Sequence, residues 1–335
     1  MDLKDISFII PVYNRPDEID ELLSSFSCLE GDKDFEIVII EDGSTKKCDH
    51  IVKRFSDLNI SYHLKTNSGP GDSRNYGMKV AKGKYHIILD SDVILPVNYN
   101  KVLIENLIND YSDCFGGVDD SHQSFNNFQK AVSYSMTSFI TTGHIRGGSK
   151  SKDFQPRSFN MGISREAFLK SKGFGNIHPG EDPDLSIRLK KLGFSTKLYS
   201  DLKVFHKRRV SIPSFFKQVY KFGVARTILN NRYPSTKKII YWFPLLFSLT
   251  FLISIFLFFL NINSVLLLIF IFYFVVIFIQ SSLLNNPLVG LFSVLTTLIQ
   301  FFGYGYGFLK SFILINIFSN KKIESIFPQM FFNHN

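Results

Sequence analysis

The chain is expected to fold as an α/β domain built on a parallel sheet and followed by membrane-spanning helices. Short apolar runs such as Ser7–Val12, Phe35–Ile40 and Tyr85–Leu89 alternate with segments whose apolar residues recur at helical spacing, the pattern of βαβ units. No charged residue occurs from Ile239 to Leu309, and Ile239–Leu260 and Ser264–Leu284 each reach the roughly 20 residues that cross a bilayer. At 335 residues the chain can hold one large domain and a second region.

Ser7-Phe8-Ile9-Ile10-Pro11-Val12 is nearly continuous apolar sequence, as a strand covered on both faces requires. Tyr13-Asn14-Arg15 turns the chain, and Pro16 suits the first turn of a helix. Asp17, Glu18, Asp20 and Glu21 favour that helix's N-terminal end, and Ile19, Leu22, Leu23 and Phe26 share one face. Phe35–Ile40 is the second strand and ends in Glu41-Asp42-Gly43-Ser44. A helix is expected over 47–57, a third strand over Ile60–Leu64 and a helix over Asp72–Ala81. The strand that starts at Tyr85 ends in Asp90-Ser91-Asp92. Strand alternation has period two, so both aspartates are expected on one side. Val97–Asn109 reads as a helix. Over 111–158 the periodicity weakens, and Gly143–Lys152 reads as a mobile loop, either a cover for a substrate or plain surface. Glu181–Leu192 is helical with Leu185, Leu189 and Leu192 on one face, and Lys203-Val204-Phe205 is strand-like before His206.

Charge is unevenly spread. Residues 1–185 carry a balance of −6, residues 186–238 one of +13, and residues 239–335 one of +2. A basic block directly before an apolar region suits the anionic cytoplasmic face of a membrane. No nucleic-acid-binding module is visible, so no nucleic-acid partner is expected. Ile212–Asn230 alternates Phe215, Phe216, Val219, Phe222 and Ile228 with Lys217, Lys221 and Arg226. This reads as a basic amphipathic helix in the membrane interface, or as an ordinary helix packed on the domain. The third apolar stretch, Pro287 to about Ile315, holds Gly303, Gly305, Gly307 and Lys310. A full crossing there would put Lys321 and Lys322 outside, against the positive-inside tendency. It is left as a third span, a re-entrant segment or a helix lying flat. The expected regions are 1–210, a catalytic domain; 211–238, the interfacial helix; 239–318, two or three spans; and 319–335, a short tail. Met1-Asp2-Leu3-Lys4-Asp5 opens no secretory signal, and the three cysteines show no paired spacing. Reduced thiols in a cytosolic compartment are therefore expected.

Asp90-Ser91-Asp92 is by itself a weak signal, since Asp and Ser are ordinary turn residues. Two carboxylates at a strand end also suit Mg²⁺ or Mn²⁺, which commonly bridge carboxylate and diphosphate. Its setting adds weight. In order along the chain stand Pro11-Val12-Tyr13-Asn14, Glu41-Asp42-Gly43-Ser44, Asn67-Ser68-Gly69-Pro70-Gly71-Asp72-Ser73-Arg74-Asn75-Tyr76-Gly77, Asp90-Ser91-Asp92 and Gly180-Glu181-Asp182-Pro183-Asp184-Leu185. This ordered set, within about residues 5–230, resembles glycosyltransferase family 2.

The resemblance implies a GT-A fold, a Rossmann-like domain of nucleotide-diphospho-sugar transferases, and inverting transfer. It implies that Asp42 accepts the N–H of a uracil-like base, where the alternative is a turn cap. Pro11 and Asn14 would border base and ribose, and Arg74 would face the nucleotide, where the alternative is a surface ion pair. Asp90 would bind ribose or metal-bound water, and Asp92 the divalent metal. His206 would complete the metal shell, or else is a packed or surface histidine. Asp182 would be the general base that takes the acceptor's proton, with Glu181 positioning the acceptor; the alternative is that Glu181, Asp182 and Asp184 cap their helix. A helix N-terminus is expected to hold an aspartate pKa low. Phe159-Asn160-Met161-Gly162 resembles the strand lining the acceptor side.

One departure stands out. Processive synthases of the family carry Gln-x-x-Arg-Trp where this chain has Gln218-Val219-Tyr220-Lys221-Phe222. Lys221 still offers charge to a diphosphate, without a bidentate fork. A single-sugar transferase is therefore expected over a processive polysaccharide synthase, and either over a non-catalytic scaffold. The expected donor is a nucleoside diphosphate sugar, foremost a UDP-sugar, and the acceptor a glycan or lipid-linked molecule at the cytoplasmic membrane face.

Overall fold

The computed structural model describes residues 1–120, 125–143, 154–206, 211–318 and 321–332. The chain runs β1 (Ile6–Val12), α1 (Pro16–Ser27), β2 (Glu36–Asp42), α2 (Asp49–Val52), β3 (Ile60–Lys65), α3 (Pro70–Val80) and β4 (Tyr85–Leu89). It continues through β5 (Val93–Ile94), α4 (Tyr99–Asn109), β6 (Cys114–Asp120), α5 (Asn127–Thr137), α6 (Phe139–Thr142), β7 (Asn160–Ser164) and α7 (Arg165–Ser171). The remaining elements are α8 (Glu181–Lys191), β8 (Thr196–His206), α9 (Ile212–Arg232), α10 (Phe243–Phe259), α11 (Val265–Leu284), α12 (Pro287–Asn316) and α13 (Ile323–Ile326). These form two compact units. The first takes in 1–120, 154–206 and 331–332; the second takes in 125–143, 211–318 and 321–330.

In the first unit an 8-stranded sheet has the order β3-β2-β1-β4-β7-β6-β8-β5. β1 through β4 are parallel, with Ile9 opposite Val38 and Ile88. β7 runs antiparallel between β4 and β6, β8 is parallel to β6, and β5 is antiparallel to β8. Successive residues of β1 fall into separate cores, as strand alternation requires. Ile6, Phe8, Ile10 and Val12 pack with Leu22, Phe26 and Tyr99 from α1 and α4. Ile9 packs on the other face with Met78, Phe168, Leu185 and Leu189 from α3, α7 and α8. Each such fully buried side chain contributes about 1.5–3 kcal/mol of hydrophobic stabilisation.

The sheet curls, and chain length shows why. Only Asp90-Ser91-Asp92 links β4 to β5, which stands four places along the sheet order. Four flat strand spacings cover about 19 Å, whereas the four Cα steps from Leu89 to Val93 reach at most about 14 Å. The link therefore pulls the sheet's end strands round toward β4. The strand expected to end in Asp90-Ser91-Asp92 ends at Leu89 instead, so strand alternation does not govern Asp90 and Asp92, although their ligand atoms do come together on one side. The helix expected over 47–57 is also corrected. It is one turn, Asp49–Val52, because Cys48 is tied by its N–H and thiol to the buried Glu41. The segment Gly143–Lys152 lies, after Gly143, outside the described residues.

In the second unit α9 and α12 pack backbone to backbone. A Cβ on Gly223 would stand 2.2 Å from the Tyr304 carbonyl oxygen, and one on Gly307 2.2 Å from that of Tyr220. The three glycines of the third apolar stretch therefore sit inside one continuous 30-residue helix rather than breaking it. Among the described residues, three helices are long and apolar enough to cross a membrane: Ile239–Phe259, Val265–Leu284 and Pro287–Asn316, with mean hydropathy 2.2, 2.6 and 1.6. The third is the most enclosed by protein, with 44% of its most apolar window buried against 22% and 17%. It begins against the end of α11, where Gly290 meets Phe278 and Ser282. It finishes against the start of α10, where Gly305 meets Pro244 and Leu245 and Phe308 and Phe312 pack on Trp242.

Candidate active site

The turn after β4 and the end of β8 place Asp90, Asp92 and His206 with ligand atoms within 4.8 Å of one another. Asp92 Oδ1 lies 3.2 Å from His206 Nε2, and Asp92 Oδ2 accepts from Arg15 Nη1 at 2.9 Å. Asp90 Oδ1 accepts from Arg74 Nη2 at 2.7 Å. Each carboxylate is thus anchored to an arginine. The His206 ring stacks on Phe159 at 5.2 Å, and its Nδ1 lies 4.0 Å from Asp119 Oδ2. Two carboxylates and an imidazole form a donor set suited to Mn²⁺ or Mg²⁺, and their mutual distances fit a shared ion.

Arg74 joins this cluster to the start of α8. Its side chain is 4% exposed; Nη2 holds Asp90, and Nη1 donates to Glu181 Oε1 at 3.2 Å. The expected alternative of a surface ion pair is therefore wrong, because the guanidinium is buried between two carboxylates. Burial disfavours its charge, but Asp90, Glu181 and Asp182 outweigh that and push its pKa further up. Glu181 also meets His178 Nδ1 at 2.8 Å. Burial opposes its ionisation, yet His178 and then Arg74 prevail, and its carboxyl is held below the ordinary range.

Asp182 behaves the opposite way. Its Oδ2 accepts from the Ser158 N–H at 3.2 Å, while Oδ1 is buried with no hydrogen-bond partner. Burial first, and the neighbouring Glu181 charge second, raise its pKa above the ordinary carboxylate value. The low pKa expected from the helix N-terminus is thus overturned by desolvation. Gly180 is the N-cap of α8 and offers no side chain. Glu181 turns to Arg74 and His178, Asp182 to Ser158, and Asp184 to Arg188 Nε at 3.0 Å.

Asp42 ends β2 and is 3% exposed. Its Oδ1 accepts from Lys65 Nζ at 2.8 Å and the Ser68 N–H at 3.0 Å, and its Oδ2 from the Gly69 N–H at 3.0 Å. Asp42 thus binds the loop that opens α3, and three of about four carboxylate acceptor positions are taken. Asn14 adopts a left-handed backbone with φ 54°. Its Oδ1 accepts from the Thr45 and Lys46 N–H groups at 2.8 and 3.0 Å, clasping the turn after β2. Pro11 stands opposite Ile40 near the end of β1. Lys221 is on α9, in the second unit.

Sequence reasoning missed Arg15, Lys65, Asp119 and His178. His178 stands three residues before Glu181, a spacing that could have flagged it. Lys65 ends β3 beside the loop it serves, pairing with Asp42 and, at 3.2 Å, with Asp72. The Arg15–Asp92 and Asp119–His206 pairs carry no local signal, because the two members of each lie far apart in sequence.

A family model described as Glycosyl transferase family 2 matches residues 7–170. An uncharacterized glycosyltransferase of Rickettsia conorii is 46% identical over 88 residues, 26% of this chain and 14% of that protein. The poly(ribitol-phosphate) beta-N-acetylglucosaminyltransferase TarS of Staphylococcus aureus is 40% identical over 90 residues, 26% of this chain and 16% of that protein. The chain thus matches under a fifth of the length of these relatives. Among solved structures, the mannosyltransferase PcManGT of Pyrobaculum calidifontis, in complex with GDP-Man and Mn²⁺, is 14% identical with a TM-score of 0.57. That match covers 91% of this chain and 87% of the other, and it shows a shared fold.

Proposed function

Belonging to glycosyltransferase family 2 through residues 7–170, this chain is, we propose, a membrane-bound inverting glycosyltransferase. It moves a sugar from a nucleoside diphosphate sugar, foremost a UDP-sugar, to a glycan or lipid-linked acceptor at the cytoplasmic face. The observation that carries this is the buried Arg74, which ties Asp90 of the candidate metal cluster to Glu181 beside Asp182. Carboxylates far apart in sequence are thereby gathered around one guanidinium.

The roles divide by environment. Asp182 is poised as general base, with an unpaired Oδ1 and a raised pKa. A base works best when its pKa approaches the working pH. Oδ1 takes the acceptor hydroxyl's proton as that oxygen attacks the anomeric carbon. Glu181, kept ionised by His178 and Arg74, orients the acceptor. Asp42 has one acceptor position left for a base N–H, beside backbone from Pro11 and Asn14. A divalent cation held by Asp90, Asp92 and His206 would neutralise charge on the departing diphosphate. The Mn²⁺ in the PcManGT structure supports that assignment, and the TarS name, a poly(ribitol-phosphate) beta-N-acetylglucosaminyltransferase, supports a polymer as acceptor.

The membrane part is proposed to cross twice. Phe331 pairs with Ile177 inside the first unit, which supports an even number of crossings between β8 and Phe331. α10 and α11 supply the crossings. α12, which runs from the end of one to the start of the other, lies with the basic amphipathic α9 in the interface. Lys321 and Lys322 then stay on the cytoplasmic side, as the positive-inside tendency favours.

The test is donor turnover by the full chain in lipid nanodiscs, with UDP-, GDP- and dTDP-sugars and Mn²⁺ or chelator. Metal-dependent release of nucleoside diphosphate, with inverted anomeric configuration in the product, is expected. Turnover that persists in Asp92→Ala and Asp182→Asn would overturn the assignment.

A further inference from the structure

The short segment after the last long helices comes back to the nucleotide side of the first unit. Phe331 forms an antiparallel bridge with Ile177, and the Phe332 N–H donates to the Asn176 carbonyl at 2.9 Å. The Phe332 ring is thereby laid on Gly69. A Cβ at Gly69 would stand 2.4 Å from two carbons of that ring, so only a glycine lets the ring approach this closely. Gly69 also has φ +94°, and its N–H is the group that Asp42 Oδ2 binds. The ring also meets the His178 imidazole at 5.8 Å, tilted by 49°. His178 is the group that holds Glu181. Phe332 is only partly buried. One ring thus meets both the loop fixed by Asp42 and the histidine that fixes the acceptor-positioning carboxylate.

We propose that Phe332 forms the stacking wall of a nucleobase subsite, with Gly69 beneath it and Asp42 at its edge. The ligand class is the pyrimidine base of a nucleoside diphosphate sugar. An aromatic face gives a base a flat apolar partner, and Asp42 adds direction through its remaining acceptor position. Gly69 serves both parts, since its missing side chain admits the ring while its N–H orients the carboxylate. A consequence is that donor binding depends on a residue that follows the membrane segment in sequence. The assignment rests on the reading that Asp42 faces the base, and the test separates the two.

The experiment is calorimetry of UDP with the full chain in nanodiscs, alongside donor KM and kcat, for wild type, Phe332→Ala, Phe332→Leu, Phe332→Tyr and Asp42→Asn. Loss of an aromatic–base stack is expected to raise the UDP Kd and the donor KM about tenfold in Phe332→Ala while kcat is retained. Phe332→Leu keeps apolar bulk without a π-face, so it should resemble Ala, and Phe332→Tyr should restore binding. Asp42→Asn should also weaken UDP. If Asp42→Asn weakens UDP but Phe332→Ala does not, the stacking wall is overturned and the base reading of Asp42 stands. If neither changes UDP binding, both are overturned. Full rescue by Leu would assign Phe332 to packing alone. Tighter UDP binding in Phe332→Ala would make the ring a plug, which also contradicts the proposal.

Discussion

Asp182, the proposed general base, is a carboxylate whose surroundings work against its charge and so raise its proton affinity. Replacing it with asparagine should lower turnover about 10²–10⁴-fold, the usual worth of a positioned proton acceptor. The same change removes a buried charge held next to Glu181, so the thermal midpoint should hold or rise while activity falls, a stability–activity trade-off. A midpoint lowered along with activity would instead make Asp182 structural. Because its pKa is raised, the acid limb of kcat/KM should lie above the ordinary aspartate value of about 3.9. His86 gives a separate pH test. It is fully buried in β4 with both ring nitrogens unpartnered, and burial, then Arg165, lower its pKa from 6.5 to about 4. The unfolded chain therefore binds that proton first. Stability should be full above 6.5 and decline as pH falls toward 4, by up to about 3 kcal/mol. His86→Phe should flatten the fall in thermal midpoint over that window. At this scale the acidic residues were legible because they stand in short ordered motifs. Arg15 and Lys65 were not, since an ion pair between distant segments leaves no period in the sequence.

Among the elements, β4 and β5 mark where local reading ends. The apolar run through Tyr85–Leu89 gave the strand, but its break at Asp90 follows from Val93 pairing with His206, and remote pairing cannot be read locally. The short α2 is a similar case, since Glu41 gathers Cys48 and Tyr62 from separate segments. Regular elements with a buried face, such as α1, α8 and α9, were legible because apolar spacing alone defines them. The glycines of α12, in a stretch whose sequence left span, re-entrant segment and flat helix open, are sites of close helix contact. Gly307→Val should force α9 and α12 apart, at a cost of about 1–3 kcal/mol or more. Its measure is the thermal midpoint in nanodiscs beside Gly193→Ala, whose Cβ would meet nothing within 4 Å but whose φ of +84° is strained. Equal losses in the two variants would mean that strain, not helix contact, sets the cost.

For the whole molecule, the charge asymmetry along the chain suggests a membrane-facing side, and the proposed count of two crossings rests on the bridge of Phe331 to Ile177. Ser325 is exposed and, with two crossings, stays cytoplasmic. A Ser325→Cys variant in a Cys28→Ser background should resist a membrane-impermeant maleimide in sealed spheroplasts and react in inverted vesicles. Reaction in spheroplasts would mean three crossings and would sever the tail from the first unit. The proposed site, in which Arg74 ties Asp90 of the candidate metal cluster to Glu181 beside Asp182, is tested most directly by NMR of the sugar product and release of nucleoside diphosphate with Mn²⁺, for wild type and Asp182→Asn. Wild type should release diphosphate only with the metal and form a product of inverted configuration, and Asp182→Asn should retain donor binding without transfer. A product of retained configuration, or undiminished transfer by Asp182→Asn, would contradict it.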